Sequence, residues 1–494
     1  MKKKKIFIFQ QYNYSPLLEI SLEILIRELN AKNDVYLFLL GHNFEGEIDM
    51  CWPRKKEKYK RFFKFLPEII GINLIENKFP NFKKIKYIIK PDIKIINVKT
   101  KNFNNLEELK KITYQNFDVG YATLSSFISK YKNPFPNIKK NKQELKKNLL
   151  NGISLYEYVD FLLKENKPDS TYIYNGRPLH TRSILRACQK NKIKSLIYER
   201  GKTDKTFSLW STDSLDKNKF VKYIITEWKN YKYKNNIKKI FNAWFLSRRK
   251  ETRKNISNQE TPIFTKGQDI NFTKPKDKRV VTFFSSSMDE FEATGDTFVY
   301  YFNDQINSIE SLIKEVNKFD NTILVIKIHP NVQNKSKNEK KIWDDLSTKY
   351  CNHKNVQIYS YDSKVRTYDV LDKSDIVFSC GTTVGLEAMF YGKPSVLLSS
   401  CMTDYIKSYY IAKSSKEIFK ILNLKKFKKI NFKDFYSWIY FKTYLGQIKF
   451  KYFKYINLDQ KNIEPYSGYF LNKNLHENRK KLLNKLYFKL LNIY

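Results

Sequence analysis

The chain has 494 residues, more than a single hydrophobic core usually organises, so we expect two domains. Hydrophobic residues make up 41% of the sequence and aromatic residues 16%, which excludes a wholly disordered chain. The five cysteines are scattered, odd in number and without a Cys-x-x-Cys pair. We therefore expect a reducing compartment and no disulfide framework. The five histidines are equally scattered, so we also expect no metal site.

The formal net charge is +42, from 92 basic and 50 acidic residues. A polyanionic partner would match this charge, whether nucleic acid, an anionic bilayer or an acidic glycan. An AT-rich genome, which favours lysine codons, explains part of it. Arginine, the residue that makes bidentate contacts to bases and phosphates, is sparse. We therefore expect no specific nucleic-acid partner, and we favour the anionic inner membrane surface as the partner of the lysines.

The apolar runs, such as Val35–Leu40, fall far short of the ~20 residues that a membrane-spanning helix needs. At the N-terminus, basic residues are followed only by Ile6–Phe9, too short an apolar core for a signal peptide. The sequence therefore predicts a cytoplasmic protein that attaches peripherally to the inner membrane.

The first elements form a strand–helix–strand unit. Ile6–Phe9 and Val35–Leu40 are predicted strands, and Ser15-Pro16 is a typical helix start between them. Leu18, Leu22, Leu25 and Leu29 give this helix its apolar stripe. This pattern indicates an α/β domain with a parallel sheet.

Between Thr171 and Gly201 the sequence predicts two further strands, each followed by polar residues. Thr171–Tyr174 leads into Asn175-Gly176-Arg177, and Ser195–Tyr198 leads into Glu199-Arg200-Gly201. Polar residues at successive strand ends are where α/β domains bind ligands.

These loops supply the candidates for the acceptor side. Glu199 is a candidate general base, because a partly buried carboxylate can be tuned to accept a hydroxyl proton. Asn175, Arg177 and Arg200 are candidates for binding an acceptor, the arginines through its carboxylate or phosphate. The alternative, an internal Arg–Glu pair that only fixes two loops, is equally open.

Residues 250–278 are polar and contain Pro262 and Pro275, which indicates an interdomain linker or a long surface loop. Val280–Phe284 then begins a second α/β domain. The loop after this strand contains Ser285 and Ser286, which are candidates for binding phosphate, and Asp289, the second candidate base. Several serines in a loop are also common turn residues.

Two strand–loop–helix units complete this domain. Ile323–Ile328 is a strand that ends at His329-Pro330. Ile376–Phe378 is the next, followed by a polar loop and a helix from about Val384.

Thr382 and Thr383 place hydroxyl groups beside free N–H groups at a helix N-terminus, which favours an anion such as phosphate. His329 could donate a hydrogen bond or a proton to the same anion, and Glu387 could accept one from a ribose. We expect His329, Thr382 and Thr383 to lie within a few ångströms of each other. A plain helix cap at Thr382-Thr383 and a structural histidine are the competing explanations.

The His-Pro pair, followed by Thr-Thr-x-x-x-Glu-Ala (382–388) and Gly-Lys-Pro (392–394), resembles the donor half of GT-B glycosyltransferases. The likeness is to capsule-polysaccharide and Kdo-transferase-like enzymes and to bacterial sialyltransferases. It implies that His329-Pro330 and the Thr382-Thr383 pair hold the phosphate of a CMP-sugar. It further implies that the nucleotide-sugar is a substrate, with no separate cofactor and no metal ion.

The resemblance implies two Rossmann-like α/β domains with a cleft between them and C-terminal helices. We place an acceptor-side domain at 1–249, the linker at 250–278, the donor domain at 279–400 and a helical, Lys- and aromatic-rich segment at 401–494. In that last segment, Ser414–Glu417 is a capping box that opens one more helix. Packing of terminal helices is favoured there over nucleic-acid stacking or a membrane face.

The sequence thus predicts a glycosyltransferase. Its expected donor is a CMP-sugar such as CMP-Kdo or a sialic-acid-like sugar, and its expected acceptor is a surface polysaccharide or glycolipid. A nucleotide-sugar epimerase and a polyol-phosphate transferase of the same fold are alternatives. A non-catalytic basic scaffold that binds glycan or nucleic acid is the alternative from another class.

Overall fold

The computed structural model of the chain describes residues 3–10, 17–39, 102–203, 205–249, 272–455 and 469–471. They belong to two compact units. The first unit takes its residues from Met1–Lys130, Ile138–Asp213 and Gly446–Tyr494, and the second from Tyr131–Asn137 and Ser214–Leu445.

The first unit is built on a mixed six-stranded sheet. Its strands are β1 (Lys5–Gln10), β2 (Asp34–Leu39), β3 (Ser170–Tyr174), β4 (Lys194–Arg200), β5 (Thr206–Trp210) and β14 (Gln447–Lys449). Its helices are α1 (Leu17–Asn30), α2 (Leu106–Lys110), α3 (Val119–Tyr131), α4 (Ile138–Asn166) and α5 (Leu179–Lys190). The order is β14-β5-β4-β3-β1-β2, in which β2, β1, β3 and β4 are parallel and β5 is antiparallel to both of its neighbours, β4 and β14. A separate antiparallel pair joins β15 (Phe453–Tyr455) to β16 (Tyr469–Leu471).

A buried carboxylate fixes the return of the chain to this unit. Glu23, on α1, is 0% exposed, and it accepts hydrogen bonds from the backbone N–H groups of Lys451 and Tyr452, both at 2.9 Å. Arg27, one turn further along α1, pairs with Glu23 at 2.7 Å and donates to the carbonyl of Lys449 at 2.6 Å. The segment that follows β14 is therefore bonded to the first helix of the chain.

We predict that Glu23→Ala destabilises the first unit by about 3 kcal/mol, because two backbone donors and a guanidinium lose their buried acceptor. Urea unfolding would measure this loss, and limited proteolysis would test for release of the segment after β14. Glu165→Ala, at an exposed position of α4, is the control and should leave both measurements unchanged. Equal stability of the two variants would contradict the assigned role of Glu23.

The second unit is built on a six-stranded sheet in which every neighbouring pair is parallel. Its strands are β6 (Arg279–Phe284), β8 (Thr322–Lys327), β9 (Val356–Tyr359), β10 (Ile376–Ser379), β11 (Ser395–Leu397) and β13 (Tyr410–Ile411). A two-stranded ribbon pairs β7 (Val299–Tyr300) with β12 (Ser399–Ser400). The helices are α6 (Lys217–Asn230), α7 (Ile237–Arg249), α8 (Met288–Thr294), α9 (Gln305–Val316), α10 (Lys337–Tyr350), α11 (Thr367–Lys373), α12 (Thr383–Phe390), α13 (Ser415–Leu422) and α14 (Tyr436–Thr443).

Most residues in the strands of the second sheet are apolar, because helices cover both faces. Val281 and Phe283 of β6 pack into one buried cluster, and Val280 and Phe284 into another. The spatial order is β9-β8-β6-β10-β11-β13. In chain order these are the third, second, first, fourth, fifth and sixth strands of the sheet, which is the Rossmann arrangement. The order reverses between β6 and β10.

The prediction of an α/β fold with two Rossmann-like domains is confirmed, whereas the predicted boundaries need correction. Helices α6 and α7 were assigned to a first domain at 1–249, yet they belong to the second unit. The reason is aromatic packing: Phe245 stacks on Phe390 of α12 at 4.6 Å, and Phe241 packs on Phe435.

The segment 401–494 is likewise not a separate helical region. Its part up to Leu445 belongs to the second unit, where Ile418 and Ile421 of α13 join the main core. From Gly446 the chain enters the first unit, and β14 pairs with β5. Most of the predicted linker, 250–271, lies outside the described residues, and Phe272 is buried in the second unit. None of the described helices combines the length and apolar character needed to cross a bilayer.

Candidate functional site

Three loops meet at the carboxyl edge of the second sheet, where α/β folds bind ligands. Ser285–Ser287 follow β6, His329 and Pro330 follow β8, and Gly381-Thr382 follow β10. Because β6 lies between β8 and β10, the serine loop lies between the other two. The backbones of β8 and β10 are two strand spacings apart, about 10 Å, and the close approach of His329 to Thr382 and Thr383 stays a prediction.

His329 is held in one orientation by its own loop. Its backbone N–H donates to Ser285 Oγ at 2.8 Å, and its Nδ1 accepts from the N–H of Asn331 at 3.1 Å. Pro330 begins a 3₁₀ turn, Pro330–Asn334, and keeps the preceding residue extended. Since Nδ1 is an acceptor, we assign the proton of the neutral ring to Nε2.

Burial, together with the positive charges of Lys335 and Lys327, lowers the pKa of His329 to about 4. The imidazole is therefore neutral near pH 7. Of the two predicted roles, the geometry favours donation of a hydrogen bond through Nε2–H over donation of a proton.

The serine loop is clamped by a side chain that the sequence did not reveal. Gln305, at the first position of α9, is 0% exposed. Its Oε1 accepts the backbone N–H of Ser286 at 2.8 Å, and its Nε2 donates to the carbonyl of the same residue at 3.1 Å. Ser285 and Ser286 are 3% and 6% exposed, so their observed task is to order the loop. Contact with a phosphate stays a prediction for both.

The threonine loop begins at Gly381, whose φ is +88°. A Cβ there would lie 2.8 Å from Cβ of Cys401, so both backbone and space require glycine. Thr382 caps α12 by accepting from the N–H of Val384 at 3.4 Å, as the competing explanation had it. The capped N-terminus nevertheless lies at the carboxyl edge, where it favours negative charge.

Glu387 accepts hydrogen bonds from two side chains of the second unit, and its contact with a ribose stays a prediction. It is 1% exposed; its Oε1 accepts from Arg248 Nε at 2.6 Å and its Oε2 from Tyr368 Oη at 2.7 Å. With both oxygens engaged, Glu387 orients the guanidinium. Arg248 Nη2 donates in turn to Thr383 Oγ1 at 2.7 Å.

Arg248 is the principal site residue that sequence reasoning missed. It lies at the end of α7, a helix that the sequence predictions placed in the other domain. Its guanidinium also lies over the ring of Trp244, 4.8 Å from the centroid. The structure thus places a permanent positive charge beside the N-terminus of α12.

Asp289 is not placed as a general base. It is 3% exposed and forms a buried ion pair with Lys335 at 2.8 Å, in which both side chains are 4% exposed. A carboxylate held by a buried lysine is a poor proton acceptor, because protonation would leave the lysine unpaired.

Glu339, on α10, lies beside this pair. It is 0% exposed and accepts the backbone N–H of Met288 at 3.1 Å. Burial and the negative charge of Asp289 raise the pKa of Glu339 to about 8. Glu339 is therefore protonated at neutral pH, so the cluster contains one buried carboxylate charge rather than two.

A second buried cation lies at the end of β8. Lys327 is 2% exposed, and its Nζ donates to the carbonyl of Ser363 at 3.4 Å. Burial lowers the pKa of Lys327 to about 8. A lysine at the end of an otherwise apolar strand is the sequence signal that could have revealed it.

At the carboxyl edge of the first sheet, two predicted residues are in contact. Asn175 Nδ2 donates to Glu199 Oε2 at 2.6 Å, and the backbone N–H of Arg200 donates to Glu199 Oε1 at 3.0 Å. The side chain of Arg177 reaches α3, where it donates to Ser125 Oγ at 3.1 Å and Ser129 Oγ at 2.9 Å. The structure thus brings together Asn175 and Glu199, at a turn where Asn175 has a positive φ of 55°.

Residues 292–404 match the model of a family described as "Capsule polysaccharide biosynthesis protein". This stretch is similar to capsule polysaccharide biosynthesis proteins. The match includes His329, Thr382 and Thr383, and it confirms the resemblance to capsule-type enzymes that their motifs indicated. It spans less than a quarter of the 494-residue chain. None of the curated proteins matches the sequence significantly.

Solved structures that match include two transferases of Thermosulfurimonas dismutans KpsC. The beta Kdo 2,7 transferase is 14% identical, with 66% of this chain and 88% of that chain covered and a TM-score of 0.35. The beta Kdo 2,4 transferase is 11% identical, with 56% and 88% covered and a TM-score of 0.33. A UDP-GlcNAc 2-epimerase from Neisseria meningitidis, bound to UDP-GlcNAc, is 13% identical, with 85% and 90% covered and a TM-score of 0.27. At these sequence identities and TM-scores, the activities of the three enzymes cannot be assigned to this chain.

No group of three or more His, Cys, Asp or Glu side chains in the described part of the chain is arranged to hold a metal ion. Cations of the protein itself, Arg248, Lys327 and Lys335, lie at or behind the loops instead.

The pKa of Glu339 makes stability depend on pH. Because the folded pKa of about 8 exceeds the usual 4.5, the folded state binds more protons, and its contribution is lost as pH rises toward 8. His329 has the opposite effect: its lowered pKa makes stability fall as pH drops below 6.5. Lys327, whose pKa is lowered to about 8, begins to titrate at the upper end of the interval from pH 6.5 to 8 and has the opposite effect, so the contribution of Glu339 is the difference between wild type and a variant that lacks this carboxyl group.

We predict that Glu339→Gln removes a pH dependence of the free energy of unfolding of up to about 1.4 kcal/mol per pH unit in this interval. The amide still accepts the hydrogen bond from the N–H of Met288, and it cannot ionise. Urea unfolding at several pH values would measure the slope. Asp345→Asn, at an exposed position on the same helix, is the control and should keep the wild-type slope. An unchanged slope in Glu339→Gln would show that Glu339 does not titrate as assigned.

Proposed function

We propose that the protein is a glycosyltransferase of capsule polysaccharide biosynthesis and that its second unit binds the nucleotide-sugar donor. The observation that carries this proposal is the Rossmann order of the second sheet, whose reversal lies between the serine loop and the threonine loop. Ligands of such sheets bind at this position. The capsule family match over 292–404 supports the proposal, because it includes two of the three loops.

The N-terminus of α12 is the proposed phosphate site. Backbone N–H groups, the threonine hydroxyls and the helix dipole all favour an anion there. Arg248, already bonded to Thr383, supplies a full positive charge at the same place. The guanidinium fork has donors left for a phosphate after its bonds to Glu387 and Thr383. In this proposal the charge of the leaving group is balanced without a metal ion.

His329 is the proposed stabiliser of the departing phosphate. Its neutral imidazole would donate through Nε2–H to an oxygen whose negative charge grows as the glycosidic bond breaks. Its orientation is fixed in advance by Ser285 and Asn331, so no reorganisation is needed at the moment of reaction. The growing charge makes this interaction stronger in the transition state than in the ground state.

Glu199 is the proposed base for the acceptor hydroxyl, with Arg177 and Arg200 as candidates for binding an anionic acceptor. Asn175 holds one carboxylate oxygen and the backbone of Arg200 the other. These bonds fix the carboxylate while each oxygen retains a further lone pair for the proton. We propose a CMP-sugar, such as CMP-Kdo or a sialic-acid-like donor, and a surface polysaccharide or glycolipid acceptor. No cofactor besides this substrate is invoked.

A nucleotide screen tests the donor site. Thermal stability of the full chain would be measured with CMP, CDP, UDP and GDP, and we expect the largest gain with CMP. A nucleotide at about 100 times its dissociation constant adds about 2.7 kcal/mol of stability. A gain with UDP alone would overturn the choice of donor, and no gain with any nucleotide would overturn the donor site itself.

We predict that His329→Ala lowers turnover about 10²- to 10³-fold, the loss typical of one preorganised oxyanion donor. Nucleotide affinity should change much less, since the charge on the phosphate is largest in the transition state. Turnover, nucleotide affinity and melting temperature would be measured together. His353→Ala, at an exposed histidine of the same unit, is the control. Full activity of His329→Ala, or loss of its fold, would contradict the role.

A further inference from the structure

A cluster of aromatic rings at one end of the second unit leaves tyrosines in solvent. Tyr231, after α6, packs on Tyr440 of α14 at 4.7 Å and stacks on Tyr444 at 5.7 Å. Trp228 contacts Tyr231 and Tyr440 at 6.1 and 5.8 Å. Tyr233 packs edge-on against Tyr231 and is nevertheless 73% exposed; Tyr444 is 42% exposed. The rings therefore hold the turn between α6 and α7 rigid while presenting tyrosines to solvent.

The same turn concentrates unpaired positive charge. Residues 228–249 contain five lysines, two arginines and no acidic residue. Arg248 and Arg249 are paired with Glu387 and Asp372. The remaining basic residues are exposed, and no carboxylate among the described residues lies within salt-bridge distance of them: Lys229, Lys232, Lys234, Lys238 and Lys239. We call these lysines with Tyr233 and Tyr444 the tyrosine–lysine surface.

Two kinds of partner match lysine mixed with aromatic rings: single-stranded nucleic acid and a lipid interface. Stacking of bases needs open ring faces. Here Tyr231 is packed between other tyrosines, and Lys234 Nζ lies 5.5 Å from the centroid of Trp228. Tyr444 has one face covered by Tyr231, so Tyr233 is the one largely exposed ring among these tyrosines. Tyrosine rings with a polar tip and lysines beside them suit the headgroup region of a membrane.

We propose that the tyrosine–lysine surface docks the protein on an anionic phospholipid bilayer. The exposed tyrosines would lie at headgroup level, and the five lysines would face lipid phosphates and anionic headgroups. The attraction of each lysine to such a surface is substantial and decays over a Debye length, ~8 Å at physiological salt. None of the residues of the surface is a proposed donor-site residue, and Lys238 lies ten residues, about 15 Å along α7, from Arg248. Docking therefore does not depend on the proposed activity.

The test is cosedimentation of the full chain with vesicles of phosphatidylcholine alone and of phosphatidylcholine with phosphatidylglycerol. We expect binding to the second kind only, and release as salt rises. Lys232→Gln with Lys234→Gln should weaken binding about fivefold per lysine. Tyr233→Ser should weaken it further at high salt, where the charge is screened.

Matched controls use similar residues elsewhere. Lys314→Gln with Lys337→Gln removes the same charge from exposed sites on α9 and α10, and Phe161→Ser removes an exposed ring of the first unit. Both controls should bind like wild type. Equal losses in variants and controls would show a diffuse effect of net charge and overturn the proposal, as would equal binding to neutral vesicles.

Two further measurements separate the alternatives. If single-stranded RNA or a soluble acidic polysaccharide binds in a way that depends on Tyr233 and competes with vesicles, that polyanion is the partner and the membrane proposal is overturned. Melting temperature and nucleotide-induced stabilisation of the surface variants should equal those of wild type. A failure of the donor site would appear in the nucleotide screen and leave vesicle binding unaffected.

Discussion

Reversal of strand order between β6 and β10 is the constraint on which the candidate site depends. Because the sheet is parallel, every strand of it ends at one edge, and the loops there are ordered as the strands are. Crossover helices leave in opposite directions on the two sides of the reversal, so the loops diverge and a crevice opens. The serine loop and the threonine loop flank that crevice, and His329 is one strand further along.

The charged groups around these loops favour the neutral form of the His329 imidazole. Lys335 is neutralised by Asp289, and the neighbouring Glu339 is neutral because it is protonated. Together with burial, the two lysines behind the loop keep His329 neutral. A neutral donor binds a phosphate more weakly than an imidazolium would. In the proposed reaction the phosphate product must dissociate after the transfer. A weaker donor at His329 allows this dissociation, provided that Arg248 supplies the fixed positive charge.

The sequence was sufficient for the local part of this arrangement. Apolar runs such as Ile323–Ile328 form buried strands because β-branched residues favour extended backbone and helices cover both faces of the sheet. The polar residues that follow these strands mark the carboxyl edge of the sheet. The positions of His329, Thr382 and Thr383 after strands of the sheet were predicted by that reasoning, and the structure confirms these positions. The partners of Glu387, Arg248 and Tyr368, could not be predicted because they come from elements distant in sequence. No periodicity specifies such a contact.

The domain boundaries failed for a related physical reason. The polar stretch 250–278 was predicted as the boundary, whereas the division between the units precedes α6. Helix α7 packs on α12 through Phe241 and Phe245, and α6 packs on α14 through Trp228. Aromatic content alone could not say which domain those rings would join. The consequence is functional as well as architectural. Assignment of α7 to the second unit is what brings Arg248 to the threonine loop, and the same packing fixes the α6–α7 turn whose outward side carries the lysines and Tyr233. One set of aromatic contacts therefore orders both a proposed ligand site and a proposed docking surface.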